Sequence, residues 1–164
     1  MKKIILFLAV TASLMAWNTG KVVTVIDGDT VLIKKSRANI IKCRLVGLDT
    51  FETKVNHRTF KQLEFLRQIH PKKIHSVKEV LKWGYKAKDF VKSRTLHKEV
   101  LYHSYGLDQY GRELIYIKNI NYLLIRYGLA VQYPTNLLHP ERKAFLLEAS
   151  KSANLEKRGF YEKR

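Results

Sequence analysis

The chain has 164 residues, enough for one domain with a hydrophobic core and too few for two domains of ordinary size. Its composition, 46% hydrophobic and 27% charged, excludes a disordered chain. Lys and Arg total 31 against 14 Asp and Glu, and the formal net charge of +17 favours polyanionic partners. Nucleic acid is the first candidate partner, followed by anionic envelope polymers and membrane surfaces. Charge alone does not choose among these three.

The N-terminus has the pattern of a secretory signal peptide over residues 1–16. Two lysines follow Met1, an apolar run covers residues 4–10, and alanines occupy positions 12 and 16. A buried first helix and a membrane anchor are the alternatives, but the apolar run is shorter than the ~20 residues that span a bilayer. We therefore expect export to a periplasm or to the cell exterior, without a stable membrane anchor.

Strand patterns occur early and late in the chain. β-branched or alternating residues indicate four strands: 22–33 with a bend at 27–29, 40–48, 100–105 and 113–118. The basic stretch 34–39 is the predicted turn of the first hairpin, and an Asp-to-Gly turn of type I joins the last two strands. Cys43, the only cysteine, excludes an intrachain disulfide and is expected to be buried.

Three helices are predicted from their end signals. Ser76 with an acidic residue three positions later begins the first, which runs for about four turns or more. Gly128 ends a short apolar helix at 121–127, and Pro140 begins a last helix that reaches about residue 155. Strands early, a helix between them and helices late predict an α+β fold, a small bent β-barrel flanked by helices.

Residues 54–82 form an unusually basic segment with three histidines. Its apolar side chains are spaced to line one face of a helix: Phe60, Leu63, Leu66 and Ile69. The histidines at 57, 70 and 75 lack the spacing of a zinc site, so we expect them on a solvated basic face. The helix could lie over a cleft and add phosphate contacts.

Three short segments place carboxylates and arginines at the ends of strands. They are residues 27–30 (Asp-Gly-Asp-Thr), 44–52 (from Arg44 to Glu52) and 108–112 (Asp-Gln-Tyr-Gly-Arg). Clustered carboxylates in a basic chain suggest a hard cation such as Ca²⁺ or Mg²⁺, since such ions require oxygen ligands. Arginines beside them suggest a phosphate, which the guanidinium fork binds through paired hydrogen bonds. Together these features predict a nuclease.

The order and spacing of these segments resemble the staphylococcal nuclease (thermonuclease) family. Its signature combines Asp-Gly-Asp-Thr, an Arg separated by four residues from Asp-Thr-Pro-Glu, and Asp-x-Tyr-Gly-Arg. The resemblance implies one domain over residues 21–164, an OB-type five-stranded β-barrel with about three helices. The basic helical segment is then an insertion. One departure is Phe51 in place of the family's Pro, which leaves Glu52 less rigidly held unless the Phe51 ring packs and anchors the loop.

The resemblance also implies the reaction, hydrolysis of the P–O5′ bond of DNA or RNA to leave 3′-phosphate ends, with Ca²⁺ as cofactor and little sequence specificity. Three residues would bind the metal: Asp29, Asp49 and, through its backbone carbonyl, Thr50. Three would act on the phosphate: Glu52 as general base or water-orienting group, and Arg44 and Arg112 as phosphate ligands. Tyr110 and Tyr133 are weaker candidates that could stack on bases; a half-buried structural tyrosine is the alternative for each.

Two other functions remain open from the sequence. A non-catalytic nucleic-acid-binding module of the same fold would not need three carboxylates facing a phosphate. A cationic protein that binds the cell envelope would explain the charge but not the carboxylates. We expect a monomer, and we interpret Asp27 and Asp108 as turn or supporting residues.

Overall fold

Alternating buried and exposed side chains build a β-barrel in the computed structural model, which describes residues 17–72 and 75–162. The predicted signal peptide lies outside the described residues. The strands are β1 (Asn18–Val25), β2 (Thr30–Ser36), β3 (Asn39–Leu45), β4 (Leu48–Thr50), β5 (Glu99–Leu107), β6 (Glu113–Ile117) and β7 (Ala130–Gln132). The helices are α1 (His57–Ile69), α2 (Val77–Thr95), α3 (Ile120–Arg126) and α4 (Pro140–Leu155), followed by a 3₁₀ turn (Gly159–Tyr161).

Five strands close the barrel in the order β1-β2-β3-β6-β5. All neighbours are antiparallel except β3 and β6, which pair in parallel so that Arg44 lies beside Leu114. The side chains inside are almost fully buried and, apart from Cys43, branched or aromatic: Val22, Val31, Ile33, Cys43, Leu45, Tyr102, Ile115 and Ile117. The predicted α+β fold with a five-stranded OB-type barrel is confirmed.

A second, two-stranded sheet of β4 and β7 was not predicted. The single strand expected at 40–48 is interrupted after Leu45, because Gly47 adopts a left-handed conformation (φ +81°) and turns the chain into β4. The predicted turn at 34–39 is too long, since β2 continues to Ser36 and β3 begins at Asn39.

The helix end signals are borne out. Ser76 caps α2 by accepting a hydrogen bond from the backbone of Glu79, Gly128 follows α3 with φ +62°, and Pro140 is the first residue of α4. In the described residues the barrel thus carries four α-helices, the three expected ones and the inserted α1.

The predicted apolar face of the inserted helix α1 is confirmed for Leu63, Leu66 and Ile69 but is wrong for Phe60. Its buried positions are Thr59, Leu63 and Leu66, and Phe60 is exposed because it lies about a quarter turn away from that stripe. Leu63 and Leu66 join Phe51, Val80, Trp83 and Phe160 in a second core, outside the barrel.

The prediction that the histidines lie on a solvated face is wrong for His70 and His75. His75 is buried, with one ring nitrogen 2.9 Å from a Glu79 carboxylate oxygen and the other 3.2 Å from the carbonyl of His70. His70 lies 2.9 Å from the carbonyl oxygen of Phe160. These contacts join the end of α1 to α2 and to the C-terminal 3₁₀ turn.

Among the described residues, no helix is both long and apolar enough to cross a bilayer.

Candidate active site

The turn between β1 and β2, the end of β3 and the start of α1 meet at one side of the barrel. The Leu45 amide donates to the carbonyl of Asp29 (2.8 Å), and Thr30 pairs with Arg44 across β2 and β3. The residues brought together line a cavity of about 150 Å³: Asp27, Asp29, Thr30, Arg44, Thr50, Phe51, Glu52, Arg58 and Arg112. We call this the acidic cavity. Five of the six residues predicted for metal or catalysis line it, and the sixth, Asp49, lines two neighbouring cavities.

Asp29 is the most buried carboxylate of the acidic cavity, only 2% exposed. One oxygen accepts hydrogen bonds from Arg44 (2.5 Å) and the Thr30 hydroxyl (3.1 Å), and the other from the amide and hydroxyl of Thr50 (both 3.0 Å). Burial nevertheless raises the pKa of Asp29 to about 7, although Arg44 acts in the opposite direction. The charged form of this carboxylate is therefore under-compensated, and a further cation would stabilise it.

Arg44 joins the two carboxylates that were predicted to bind metal. Its guanidinium nitrogens lie 2.5 Å from Asp29 and 2.5 Å from Asp49, and its side chain is 15% exposed. Asp49 itself is fixed by strand pairing, since it faces Val131 across the β4–β7 sheet. In this state, the guanidinium of Arg44 is occupied by carboxylates and holds them close together.

Glu52 is held by three side chains from the N-terminal half of α1 and its cap. Asn56 donates from its amide to one Glu52 carboxylate oxygen (2.8 Å), and Arg58 lies 3.3 Å from the other. Gln62 accepts from the Glu52 backbone amide (2.8 Å) and donates to the Thr50 carbonyl (2.9 Å). Sequence reasoning missed all three; the unexpected length of the segment after Glu52 was the one signal of them.

Phe51 supplies the anchor that its proline-free loop requires. It is almost fully buried, with its ring centroid 5.1 Å from that of Phe160 and 6.4 Å from that of Phe65. Helix α2 also closes on this loop, because Gly84 leaves room for the backbone of Glu52: a Cβ at Gly84 would lie 2.2 Å from the Glu52 carbonyl oxygen. The position of Glu52 is thus fixed from two helices and a core aromatic ring.

Arg112 reaches the acidic cavity from the turn between β5 and β6. The Asp108 carboxylate shapes this turn by accepting from the amides of Tyr110 and Arg112 (both 2.9 Å). The same carboxylate accepts a hydrogen bond from Nε of Arg112 and forms an ion pair with one terminal nitrogen of that guanidinium (both 2.7 Å). The interpretation of Asp108 as a turn residue agrees with these contacts, which leave one terminal nitrogen of Arg112 without a contact to Asp108.

Tyr110 and Tyr133 are largely exposed to solvent rather than half-buried, Tyr110 to 74% and Tyr133 to 62%. The Cζ atom of Arg112 lies 5.5 Å from the centroid of the Tyr110 ring. The backbone amide of Tyr133 donates a hydrogen bond to the carbonyl oxygen of Gly47 (3.0 Å), and Tyr133 lines a groove of about 620 Å³. We call this the outer groove; its charged and aromatic lining includes Arg44, Asp49, Arg58, Lys61, Arg112 and Tyr133.

The donor set of the acidic cavity fits a hard cation in its chemistry, because it consists of carboxylate and carbonyl oxygens. Within residues 17–72 and 75–162, however, no three His, Cys, Asp or Glu side chains converge as a ready metal site. The guanidiniums of Arg44 and Arg58 contact these carboxylates instead. Cys43 offers no alternative ligand, since burial raises the pKa of its thiol to about 12.

Comparison with known proteins agrees with the fold. The model of the family described as staphylococcal nuclease homologue matches residues 42–163. The uncharacterized protein MJ1439 of Methanocaldococcus jannaschii is 34% identical over 143 residues, covering 76% of this chain and 67% of that protein. Asp29 precedes the range matched by the family model, and the barrel brings it to Arg44. The chain belongs to the staphylococcal nuclease homologue family, which indicates a protein that cleaves or binds nucleic acid.

Proposed function

We propose that this protein is an exported, Ca²⁺-dependent nuclease that hydrolyses phosphodiester bonds of DNA, with RNA as a second candidate substrate, and leaves 3′-phosphate ends. The observation that supports this proposal best is the acidic cavity itself. Carboxylates of Asp29 and Glu52 and guanidiniums of Arg44 and Arg112 line one cavity of about 150 Å³, and Arg44 ties Asp49 to it. Hydrolysis of a phosphodiester needs carboxylates beside the phosphate-binding groups, whereas binding of a nucleic acid does not.

Arg112 is suited to bind the scissile phosphate. Its guanidinium is fixed by Asp108 and opens onto both the acidic cavity and the outer groove. A preorganised donor aimed at developing negative charge contributes about 10²–10³ in rate. Arg44, placed between Asp29 and Asp49, would add a second donor where the phosphate approaches.

Glu52 is suited to orient the attacking water and take its proton. Its carboxylate faces the same cavity as Arg112 and is held by the side chains of Asn56 and Arg58. A bound Ca²⁺ would be held by Asp29, Asp49 and the Thr50 carbonyl, and would orient the phosphate and offset its charge. The chain's own carboxylate can act as the base because it lies in the pocket that the phosphate would enter.

The test is cleavage of plasmid and single-stranded DNA by the chain lacking residues 1–16, first with Ca²⁺ and then with EGTA. We expect digestion with Ca²⁺, 3′-phosphate products and no digestion with EGTA. Glu52→Gln should lose most of the turnover while binding of uncleaved DNA in EGTA stays within about twofold. Full turnover by Glu52→Gln would remove this residue from the mechanism, and inactivity of the unsubstituted chain would refute the nuclease proposal.

A non-catalytic nucleic-acid-binding module is the second candidate, and one observation favours it. Arginines already pair with Asp29, Asp49 and Glu52, so these carboxylates are partly neutralised without a metal ion. Tight, salt-sensitive DNA binding without cleavage at any Ca²⁺ concentration would support this function.

The proposals of export and of a monomeric state depend on the sequence. Residues 1–16 carry the charge and hydropathy pattern of a signal peptide. Sequencing the N-terminus of the protein recovered outside the cytoplasm of an expressing cell tests export, and light scattering tests the monomer. An intact Met1 on a protein that stays in the cytoplasm would contradict export.

A further inference from the structure

Helix α1 presents Arg58 to the acidic cavity from a well-supported first turn. The Asn56 side chain caps this turn by accepting from the amides of Arg58 (2.8 Å) and Thr59 (3.1 Å). Farther along α1, Leu63 and Leu66 are buried in the second core with Phe51. The direction in which Arg58 leaves the helix is therefore fixed by the cap and by the packing of α1.

Arg58 lies between two carboxylates with separate predicted roles. One terminal nitrogen forms an ion pair with Asp49, and Nε lies 3.3 Å from Glu52. A single positive group thus offsets the charge of a predicted metal ligand and of the predicted base. A divalent cation would have to do the same, so both compete for the same negative charge.

The exposure of the two arginines shows which one can leave. Arg44 has 15% of its side chain exposed and contacts the buried Asp29. Arg58 has 48% exposed, and the described carboxylates with which it pairs are the more open Asp49 and Glu52. Water weakens the ion pairs of a half-exposed arginine by screening them. A Ca²⁺ ion could displace Arg58 at low cost, and the outer groove, which Arg58 also lines, offers room for the displaced group.

We infer that Arg58 is a built-in competitor of the metal ion: it occupies Asp49 and Glu52 until a divalent cation displaces it, and so weakens cation binding. This inference rests on the proposed function for the identity of the metal ligands. It adds a regulatory role for the inserted helix, which sets how much Ca²⁺ the enzyme needs. Once displaced, the guanidinium lies beside Lys61 and Tyr133 in the outer groove, where a phosphate of the substrate would bind it.

The inference is tested by cation affinity, which does not require turnover. Ca²⁺ binding by calorimetry and Tb³⁺ binding by luminescence are measured on the purified full chain and on Arg58→Gln, without nucleic acid. Removing the competing charge should tighten both affinities by about tenfold. Arg58→Lys keeps the charge, so its affinities should stay within about threefold of the unsubstituted chain.

Lys61→Gln is the matched control, since it removes one positive charge from the next turn of α1. Lys61 lines the same groove and forms no ion pair with the described carboxylates, so its cation affinity should change by less than about twofold at 0.15 M salt. Unchanged or weaker cation binding by Arg58→Gln overturns the inference, as does an equal gain in Lys61→Gln. Absence of cation binding in every variant overturns it as well.

Cleavage assays on the same samples separate this inference from the proposed function. A gain in cation affinity for Arg58→Gln supports the inference even if no sample cleaves DNA, in which case the nuclease proposal fails alone. Ca²⁺-dependent cleavage with no change in cation affinity refutes the role of Arg58 and leaves the nuclease proposal intact.

Discussion

Arg112 and Arg44 differ in what their guanidiniums contact. Arg44 contacts two carboxylates that were predicted to bind metal, whereas the one described carboxylate that pairs with Arg112 is that of the turn residue Asp108. Asp108 therefore orients Arg112 without drawing it away from the cavity. Of the two arginines, Arg112 is the one whose position already suits a phosphate, and Arg44 becomes available only when its carboxylates find another cation.

Replacement of Arg112 should affect catalysis more than binding. Arg112→Ala removes a donor to the developing charge, and we expect kcat to fall by about 10²–10³. Arg112→Lys should recover only part of this loss, because an ammonium cannot form the paired hydrogen bonds of a guanidinium. Lys118→Ala, which removes an exposed charge just after β6, is the control and should keep its kcat. A kcat for Arg112→Ala equal to that of the control would exclude Arg112 from the mechanism.

Cys43 illustrates a residue whose chemistry the barrel suppresses. It is fully buried, and burial raises the pKa of its thiol to about 12, so at pH 8 only ~10⁻⁴ of it is thiolate. We expect no alkylation by iodoacetamide at pH 8 in the native protein and complete alkylation in 6 M guanidinium chloride. Because the folded pKa is raised, reactivity should increase only at strongly alkaline pH. Rapid native labelling would mean that the barrel opens around β3.

At the scale of elements, helices α1 and α2 both determine where Glu52 lies. α1 contacts its side chain through Asn56 and Arg58, and α2 contacts its backbone at Gly84. Helix α1 therefore contributes to holding the loop that carries Glu52. The buried ring of Phe51 contributes as well, because it packs against Phe65 of α1.

Gly84→Ala should disturb both stability and activity. Its new Cβ would lie 2.2 Å from the Glu52 carbonyl oxygen, so α2 or the Glu52 loop must shift. Overpacking of this kind costs about 1–3 kcal/mol of unfolding free energy, and moving Glu52 should also lower kcat. Urea denaturation and cleavage assays measure the two effects. Lys92→Ala, on the exposed side of the same helix, should change neither; an unaltered Gly84→Ala would show that α2 does not position Glu52.

The sequence predicted the elements whose signals are local. Ser76, Gly128 and Pro140 mark helix ends. The bend at residues 27–29 was recognised, but the single strand predicted over 22–33 is wrong, because the chain reverses at the bend and forms the antiparallel strands β1 and β2. The sequence could not predict the β4–β7 sheet, because each strand has three residues and the partners are about 80 residues apart. The burial of His75 depends in the same way on contacts between elements.

The candidate site was predictable where spacing alone brings residues together. Asp29, Arg44 and Glu52 follow turns and strand ends whose geometry the motif implies, and the structure places them around one cavity. Asn56, Arg58 and Gln62 were missed because their contacts with Glu52 depend on how an inserted helix packs. The roles of all these residues remain predictions.

At the scale of the whole molecule, a small acidic cavity lies in a strongly basic protein. The formal net charge is +17, yet Asp27, Asp29 and Glu52 line one cavity and Asp49 lies beside it. Arg44, Arg58 and Arg112 line the same cavity and nearly balance these carboxylates, so a bound cation would shift the local charge in favour of a polyanion. Metal binding and substrate binding should therefore favour each other.

Salt dependence of binding shows which side of the molecule a nucleic acid strand follows. If the strand lies in the outer groove, Lys61 neutralises one phosphate, and Lys61→Gln should lower the slope of log K against log salt by about 0.7 for single strands. Fluorescence anisotropy with a labelled oligonucleotide in EGTA measures this slope without cleavage. Lys92→Gln removes the same charge from α2, where no described cavity lies, and should leave the slope unchanged. Equal slopes for both variants would place the strand elsewhere; a smaller slope for Lys92→Gln alone would place it along α2 and away from Tyr133.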